Sequence, residues 1–257
     1  MCLLIFAHQV APDYPLLVAA NRDEFHARPT AVSAFWTAYP ELLAGRDLQQ
    51  GGTWMGVTRG GRFAAVTNYR DPARTAVAPR SRGELPLQYL TGAQDPQTFL
   101  NVIAGRARDY AGFNLLVGDR RSLWYFSNSD SVDPQCLPPG VYGLSNARLD
   151  TPWPKVVLGK TRLQALLQDG RISHRALATV VSDPHLADQH TLRGQGLDNT
   201  MDTTLSAQFI VTDAYGTRSS TTLWIDAHQR ANWQEQSFNA QGALTAVQQQ
   251  EFSLDCV

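Results

Sequence analysis

Cys2 stands second in the chain, with a short apolar run, Leu3-Leu4-Ile5-Phe6-Ala7, behind it. Initiator methionine is removed when the next side chain is small, so processing is expected to leave Cys2 as the first residue. One carbon then carries a thiol and a free α-amine. Their unperturbed pKa values are about 8.5 and roughly 8, so one residue supplies a nucleophile and its base, and no catalytic histidine is needed. Three strand ends rich in polar groups are placed to complete such a site: Asn21-Arg22-Asp23, Asn68-Tyr69-Arg70 and Ser145-Asn146-Ala147-Arg148. Acyl transfer develops an oxyanion, and each donor aimed at it is worth ~3–4 kcal/mol of barrier. Arg22 would lower the Cys2 pKa by placing a positive charge nearby, and Asp23 would hold the α-amine. The competing structural reading makes Cys2 a small core residue and each asparagine a turn or strand cap.

The bulk composition narrows the classes. The chain has 257 residues, 43% of them hydrophobic and 18% charged, with a net charge of −1. That is enough chain to bury a substantial core, and the charge balance gives no pull toward nucleic acid or an anionic membrane. Lys155 and Lys160 are the two lysines, so the basic residues are nearly all arginine, which favours planar, bidentate contacts to an anionic ligand. Cys2, Cys136 and Cys256 are odd in number and unclustered, and the six histidines are scattered; neither set has metal-site or disulfide-framework spacing. The first apolar run is too short for a signal peptide or a transmembrane segment. A soluble, cytoplasmic protein with reduced thiols is expected. No feature sets an oligomeric state.

The elements that must position the chemistry come in blocks. Residues 2–9 and 16–21 read as a hairpin across Pro12, Asp13 and Pro15. The region around Arg28-Pro29 and Phe35-Trp36 lacks periodicity and is read as irregular. Residues 53–58 and 63–68 flank a glycine turn, a second hairpin. Helices are predicted over 83–90 and 96–110, with Asp95 as N-cap and Pro96 at the first helical position. Strands follow at 113–117, 123–126 and 141–145, then helices at 154–167 and 173–181, the latter capped by Ser173. Residues 183–204 read as an exposed connection or lid, and 207–212, 220–225 and 231–238 as strands. Strands, helices, strands, helices, strands, with no break in composition, predict one α+β domain over residues 1–257.

Nine segments, in order, resemble the signature blocks of the NRDE family, which includes the transport and Golgi organisation protein 2 homologues. They are Met1-Cys2, Asn21-Arg22-Asp23-Glu24-Phe25, Arg28-Pro29, Gly51-Gly52-Thr53-Trp54, Thr67-Asn68-Tyr69, Arg82-Gly83-Glu84-Leu85, Gly112-Phe113-Asn114-Leu115, Tyr142-Gly143-Leu144-Ser145-Asn146-Ala147 and Tyr215-Gly216-Thr217-Arg218-Ser219. The resemblance implies an N-terminal-nucleophile hydrolase-like fold, a four-layer αββα sandwich similar to that of penicillin V acylase and bile salt hydrolase. It carries a nucleophilic role onto Cys2 and oxyanion roles onto Asn68 and Asn146. Arg22 and Asp23 are adjacent, where those amidases space the pair three residues apart. Asn21, Glu24, Trp54, Tyr69, Tyr142 and Arg218 are expected to bind the ligand. The implied activity is amide or acyl hydrolysis, C–N or thioester, on a small or lipid-like substrate, with no required cofactor. Family members are also associated with haem movement and acyl-coenzyme A metabolism. The second reading is therefore a non-catalytic carrier, with haem as transported ligand and Tyr69, Tyr142 or a histidine as axial ligand.

Overall fold

In the computed structural model, β1 (Cys2–Ala11) is buried on both faces, which is why it reads as a continuous apolar run and not as an alternation. Residues 2–70, 78–130, 133–197 and 199–255 are described; Met1, on whose removal the free amine depends, and Cys256 lie outside them. β1 pairs antiparallel with β2 (Tyr14–Phe25), setting Cys2 opposite Arg22 and Leu3 opposite Asn21. Paired residues share a face, so Cys2 and Arg22 point one way and Asn21 the other.

Two sheets are stacked. The first has six strands in the order β10 (Gly140–Leu144), β1, β2, β11 (Tyr215–Ile225), β12 (Arg230–Phe238), β13 (Leu244–Ser253). The second has seven, running in sequence order from β3 (Thr30–Trp36) and β4 (Tyr39–Asp47) through β5 (Met55–Thr58), β6 (Phe63–Asn68), β7 (Phe113–Gly118) and β8 (Leu123–Ser127) to β9 (Gln135–Cys136). All pairings within both sheets are antiparallel.

Three apolar clusters separate four layers. Leu4, Phe6, Val18, Met55, Ala65, Leu116 and Trp233 fill the space between the sheets. Helices α1 (Glu84–Thr91) and α2 (Pro96–Gly105) cover the outer face of the second sheet through Leu85, Tyr89, Leu100 and Ile103. On the outer face of the first lie α3 (Pro154–Asp169) and α4 (His174–Ala178), packed on Leu3, Ile5 and Ala7 through Val156, Leu163 and Leu177. This is the expected αββα sandwich. A Cβ on Gly159 would come within 2.6 Å of Ile5 Cγ1, so glycine there lets α3 lie directly on β1.

The expected elements shift in several places. The stretch read as irregular contains β3 and β4, whose register breaks between Ala31 and Ala34 and again between Phe35 and Trp36; these bulges disrupt a period-two pattern. β9 and β13 went unread because both are sheet-edge strands with exposed, polar sequences. The second predicted helix stops at Gly105 before a short 3₁₀ turn, and that over 173–181 is α4 followed by a 3₁₀ turn at Thr179–Val181. Residues 207–212 are not a strand: Gln208 and Phe209 donate their N–H groups to Asp183 O, and Thr217 donates to Ile210 O. The predicted lid holds two short helices, α5 (Gln189–Gly194) and α6 (Thr200–Thr204). The Asp95, Pro96 and Ser173 capping expectations hold: Asp95 accepts from Thr98 N and Ser173 from Ala176 N.

His174 gives the helix-covered core a pH dependence. Its ring packs at a tilt against Trp224 with centroids 4.4 Å apart, Nδ1 lies 2.7 Å from Thr222 Oγ1, and burial pushes its pKa down to about 4. Between pH 6.5 and about 4 the unfolded chain binds a proton that the folded chain refuses, so stability falls as pH falls through that window. Urea midpoints measured from pH 7 to 4 are expected to drop more steeply for the natural chain than for His174→Phe.

Candidate functional site

At one end of the sandwich β1, β2 and β6 converge on a cavity of about 420 Å³. Cys2, Arg22, Asp23, Glu24, Trp54 and Asn68 line it. Six of the sequence-derived residues therefore meet, although they come from distant parts of the chain.

Cys2 is half-buried at the head of β1. Burial pushes its thiol above the ordinary value; the Arg22 charge and a hydrogen bond from the Asp23 backbone N–H pull it down, and the Asp23 carboxylate adds to the rise. The expected effect of Arg22 is present but outweighed, because transferring a thiolate out of water costs more than one neighbouring cation returns. Arg22 is itself buried. Its guanidinium lies 4.3 Å from the centroid of the Trp54 ring, donates to Thr30 Oγ1 at 3.2 Å, and has Glu24 Oε2 at 3.9 Å. Gly45 on β4 makes room for the indole: a Cβ there would overlap Trp54 at 2.3 Å.

Asp23 is 2% exposed, and burial pushes its carboxyl up while Lys155, the Thr217 hydroxyl and Arg22 hold it down. Thr217 Oγ1 donates to Asp23 Oδ1 at 2.7 Å. Lys155, at the start of α3, is 4% exposed, donates to Leu205 O at 2.8 Å, and has its pKa lowered by burial against the pull of Asp23 and Cys2. Sequence reasoning noted this lysine only as one of two. Its signal was a lysine in the first turn of an otherwise apolar helix face.

The amides divide by role. No side-chain hydrogen bond engages Asn68 among the described residues, and the residue lines the cavity. Asn146 is buried and does not line the cavity; its Nδ2 donates to Asn68 O at 2.8 Å and its Oδ1 accepts from Ser145 Oγ, which also donates to Cys2 O at 3.0 Å. Asn21 lies on the opposite face of β2. Its Nδ2 donates to Val181 O and Gln208 O, and its Oδ1 accepts from Ser220 Oγ, so its polar atoms are spent on the fold.

The remaining expected ligand residues are not brought to the cavity lining. Tyr142 stacks on Phe6 and donates its hydroxyl to Pro138 O. Tyr69 donates its backbone N–H to Gly112 O beside the cavity wall. Arg218 is the extra residue where the β2–β11 register shifts between Thr217 and Ser219, and its Nη1 donates to the carbonyls of Phe25, His26 and Arg28. A bulge re-aims a side chain in this way, and here it clamps the loop leaving β2. Arg28, Arg80 and Arg82, to which the sequence assigned no site role, also line the cavity.

Two antiparallel sheets between helical layers, with a cysteine at the head of the first strand opening into an arginine-walled cavity, define the class of this molecule. The family model described as Transport and Golgi organisation 2 matches residues 1–240, and the chain belongs to that family. It is 35% identical over 263 residues to the Transport and Golgi organization protein 2 homolog of Homo sapiens, covering 92% of this chain and 93% of that one. To the Bos taurus homolog it is 34% identical over 257 residues, with the same coverage. Among solved structures it is similar to the C2A mutant of conjugated bile acid hydrolase from Clostridium perfringens, with a TM-score of 0.47 and 9% identity, covering 100% of this chain and 99% of that one. No described helix is long and apolar enough to cross a membrane.

The division of the amides is measurable. Asn21→Ala strands two buried carbonyls and is expected to cost about 2–3 kcal/mol of stability. Asn68→Ala removes a side chain that has no hydrogen-bond partner among the described residues and is expected to stay within about 0.5 kcal/mol of the natural chain. Urea denaturation of both variants checks the contrast.

Proposed function

We propose that this protein is an N-terminal cysteine hydrolase that cleaves an amide or thioester bond of a small or lipid-like acyl substrate. The observation that carries the reading is that Cys2, Asp23 and Asn68, from three separate strand ends, line one cavity. Removal of Met1 would free the Cys2 amine beside Asp23. Burial favours the protonated thiol, so attack needs a base, and the freed amine would be the one at hand.

In the proposed cycle Sγ attacks the acyl carbon as its proton passes to the α-amine. The carbonyl π electrons move to oxygen, where the Asn68 amide donates. The Asp23 carboxylate stabilises the ammonium so formed. Collapse breaks the C–N or C–S bond, and the ammonium proton goes to the leaving group. Water, deprotonated by the same amine, then attacks the Cys2 thioester, releasing the acid and restoring the thiol. Asn146 acts through Asn68, holding its backbone carbonyl. Lys155 acts through Asp23, pulling the buried carboxyl back toward its ionised form against the effect of burial.

The carrier reading has one observation in its favour, the arginine-walled cavity, which suits the anionic groups of haem or an acyl-coenzyme A. Tyr69 and Tyr142 do not line that cavity, whereas Cys2 offers a soft donor.

Intact mass separates the two readings. The hydrolase reading expects a mature chain without Met1 and a covalent acyl adduct mapped to Cys2 after exposure to simple acyl thioesters. Cys2→Ala is expected to form none, and Asn68→Ala to slow turnover by roughly 10²–10³. A chain that retains Met1 has no free amine on Cys2 and excludes this mechanism.

A further inference from the structure

Three sequence blocks that the catalytic cycle leaves unused meet around one side chain, Arg82. They begin at Gly51, Arg82 and Gly112. Thr53 N–H donates to Gly83 O at 3.0 Å, and a Cβ on Gly52 would come within 2.4 Å of the Gly83 carbonyl. Glycine at 52 is therefore what lets the two segments press together. Gly112 O accepts Arg82 Nη1 at 3.0 Å and Tyr69 N–H at 2.9 Å, while a Cβ on Gly112 would crowd Tyr69 O at 3.0 Å. These contacts fix both the Arg82 backbone and one nitrogen of its guanidinium.

The charges around it are already paired. Arg28 makes a two-pronged contact to Asp47, with Nη2 at 2.6 Å and Nε at 3.2 Å. Arg80 pairs with Glu84, which also accepts from the Tyr110 hydroxyl at 2.5 Å. Glu24 sits 3.8–3.9 Å from Arg28 and Arg22, and Asp23 is held by Thr217. Among the described residues Arg82 forms no ion pair, and its Nη1 contact to Gly112 leaves the Nε and Nη2 edge without a partner. That edge is the planar fork that grips a carboxylate or a phosphate with two parallel hydrogen bonds. Burial lowers the Arg82 pKa, with Cys2 and Glu24 pulling it back. A cation so desolvated and unpaired is costly until an anion arrives.

We infer that Arg82 is the anion seat of the cavity, so that the ligand carries a carboxylate or a phosphate ester that docks on its free Nε/Nη2 edge. This rests on the hydrolase reading only in taking the same cavity as the substrate site. With Arg82 and Cys2 on one cavity wall system, the substrate class becomes an acyl compound with an anionic end.

Calorimetric titration of the full chain with hexanoate, hexyl phosphate and hexanol tests the inference. At least one anion is expected to bind about tenfold or more tighter than hexanol, and Arg82→Met to lose that preference, as one charged hydrogen-bonding group is worth about 10–100-fold. Arg82→Lys keeps the charge without the fork, is expected to fall between, and carries the test if Arg82→Met does not fold. Hexanoate preference identifies a carboxylate, and hexyl phosphate preference a phosphate ester. Equal binding of all three probes, no binding of either anion, or full anion preference in Arg82→Met would overturn it. Cys2→Ala is expected to keep the anion preference, so failure of the thiol chemistry is read separately in the mass experiment.

Discussion

A seam of polar contacts between the two sheets beside Cys2 holds the site in register. Thr67 Oγ1 donates to Ser145 O at 2.6 Å, and Asn114 Nδ2 donates to Ala147 O at 2.9 Å. Asn146 reaches Asn68 O, Arg70 N–H returns to Asn146 O at 2.7 Å, and Ser145 Oγ closes on Cys2 O. Much of the rest of the inter-sheet space is apolar and directionless, apart from Ser33 of β3, which donates its N–H to Glu235 Oε1 and accepts from Trp233 Nε1 of β12. Hydrophobic packing would keep the sheets together but would allow small sliding; hydrogen bonds among buried and half-buried groups resist it, since a buried partner left unpaired costs about 1–3 kcal/mol. The head of β1 and the end of β6 are thereby locked together, and Cys2 and Asn68 with them.

Beyond the seam the sheets part, and charge fills the gap. The first sheet offers Arg22, Asp23 and Glu24 from the end of β2; the second sheet and the segment before α1 offer Asp47, Arg80 and Arg82. Most of these are neutralised at short range. Arg22, with Glu24 Oε2 at 3.9 Å, and Arg82, which forms no ion pair among the described residues, both respond to Cys2 and to Glu24, which puts them in the same field. A cavity built so is poorly suited to an uncharged apolar ligand, and its arginines are held by stacking on Trp54 and by the Gly112 carbonyl before any ligand enters. Such preorganisation reduces the ordering cost of binding.

On the helix-covered side of the site, Asp23 of the cavity lining and Lys155 of α3 bring opposite charges into an apolar layer. Each is moved by burial toward its neutral form and by the other toward its charged one. The helix face therefore does more than cover the sheet. It sets the electrostatic environment of the strand end on which the thiol sits.

Much of this was legible in the chain itself. Chain order put Cys2 ahead of an apolar strand, and apolar runs either side of a proline-containing turn and a glycine turn marked two hairpins, because these signals are local; the αββα layering came from the family resemblance of the motif blocks. The edge strands β9 and β13 and the bulged pair β3 and β4 were hidden, since pairing with a neighbour made them strands without an alternating pattern to announce it. The meaning of each polar residue was also hidden. Asn21 and Asn68 look alike in sequence, yet the face of the strand and the surrounding carbonyls spend one on the fold and leave the other open. Sequence determined which chemistry was available at the chain start and which periodicities would build the sheets. Only the tertiary structure decided which arginines keep a free edge and how far burial outweighs charge at Cys2, because pairing and desolvation depend on groups that are distant in the chain and adjacent in space.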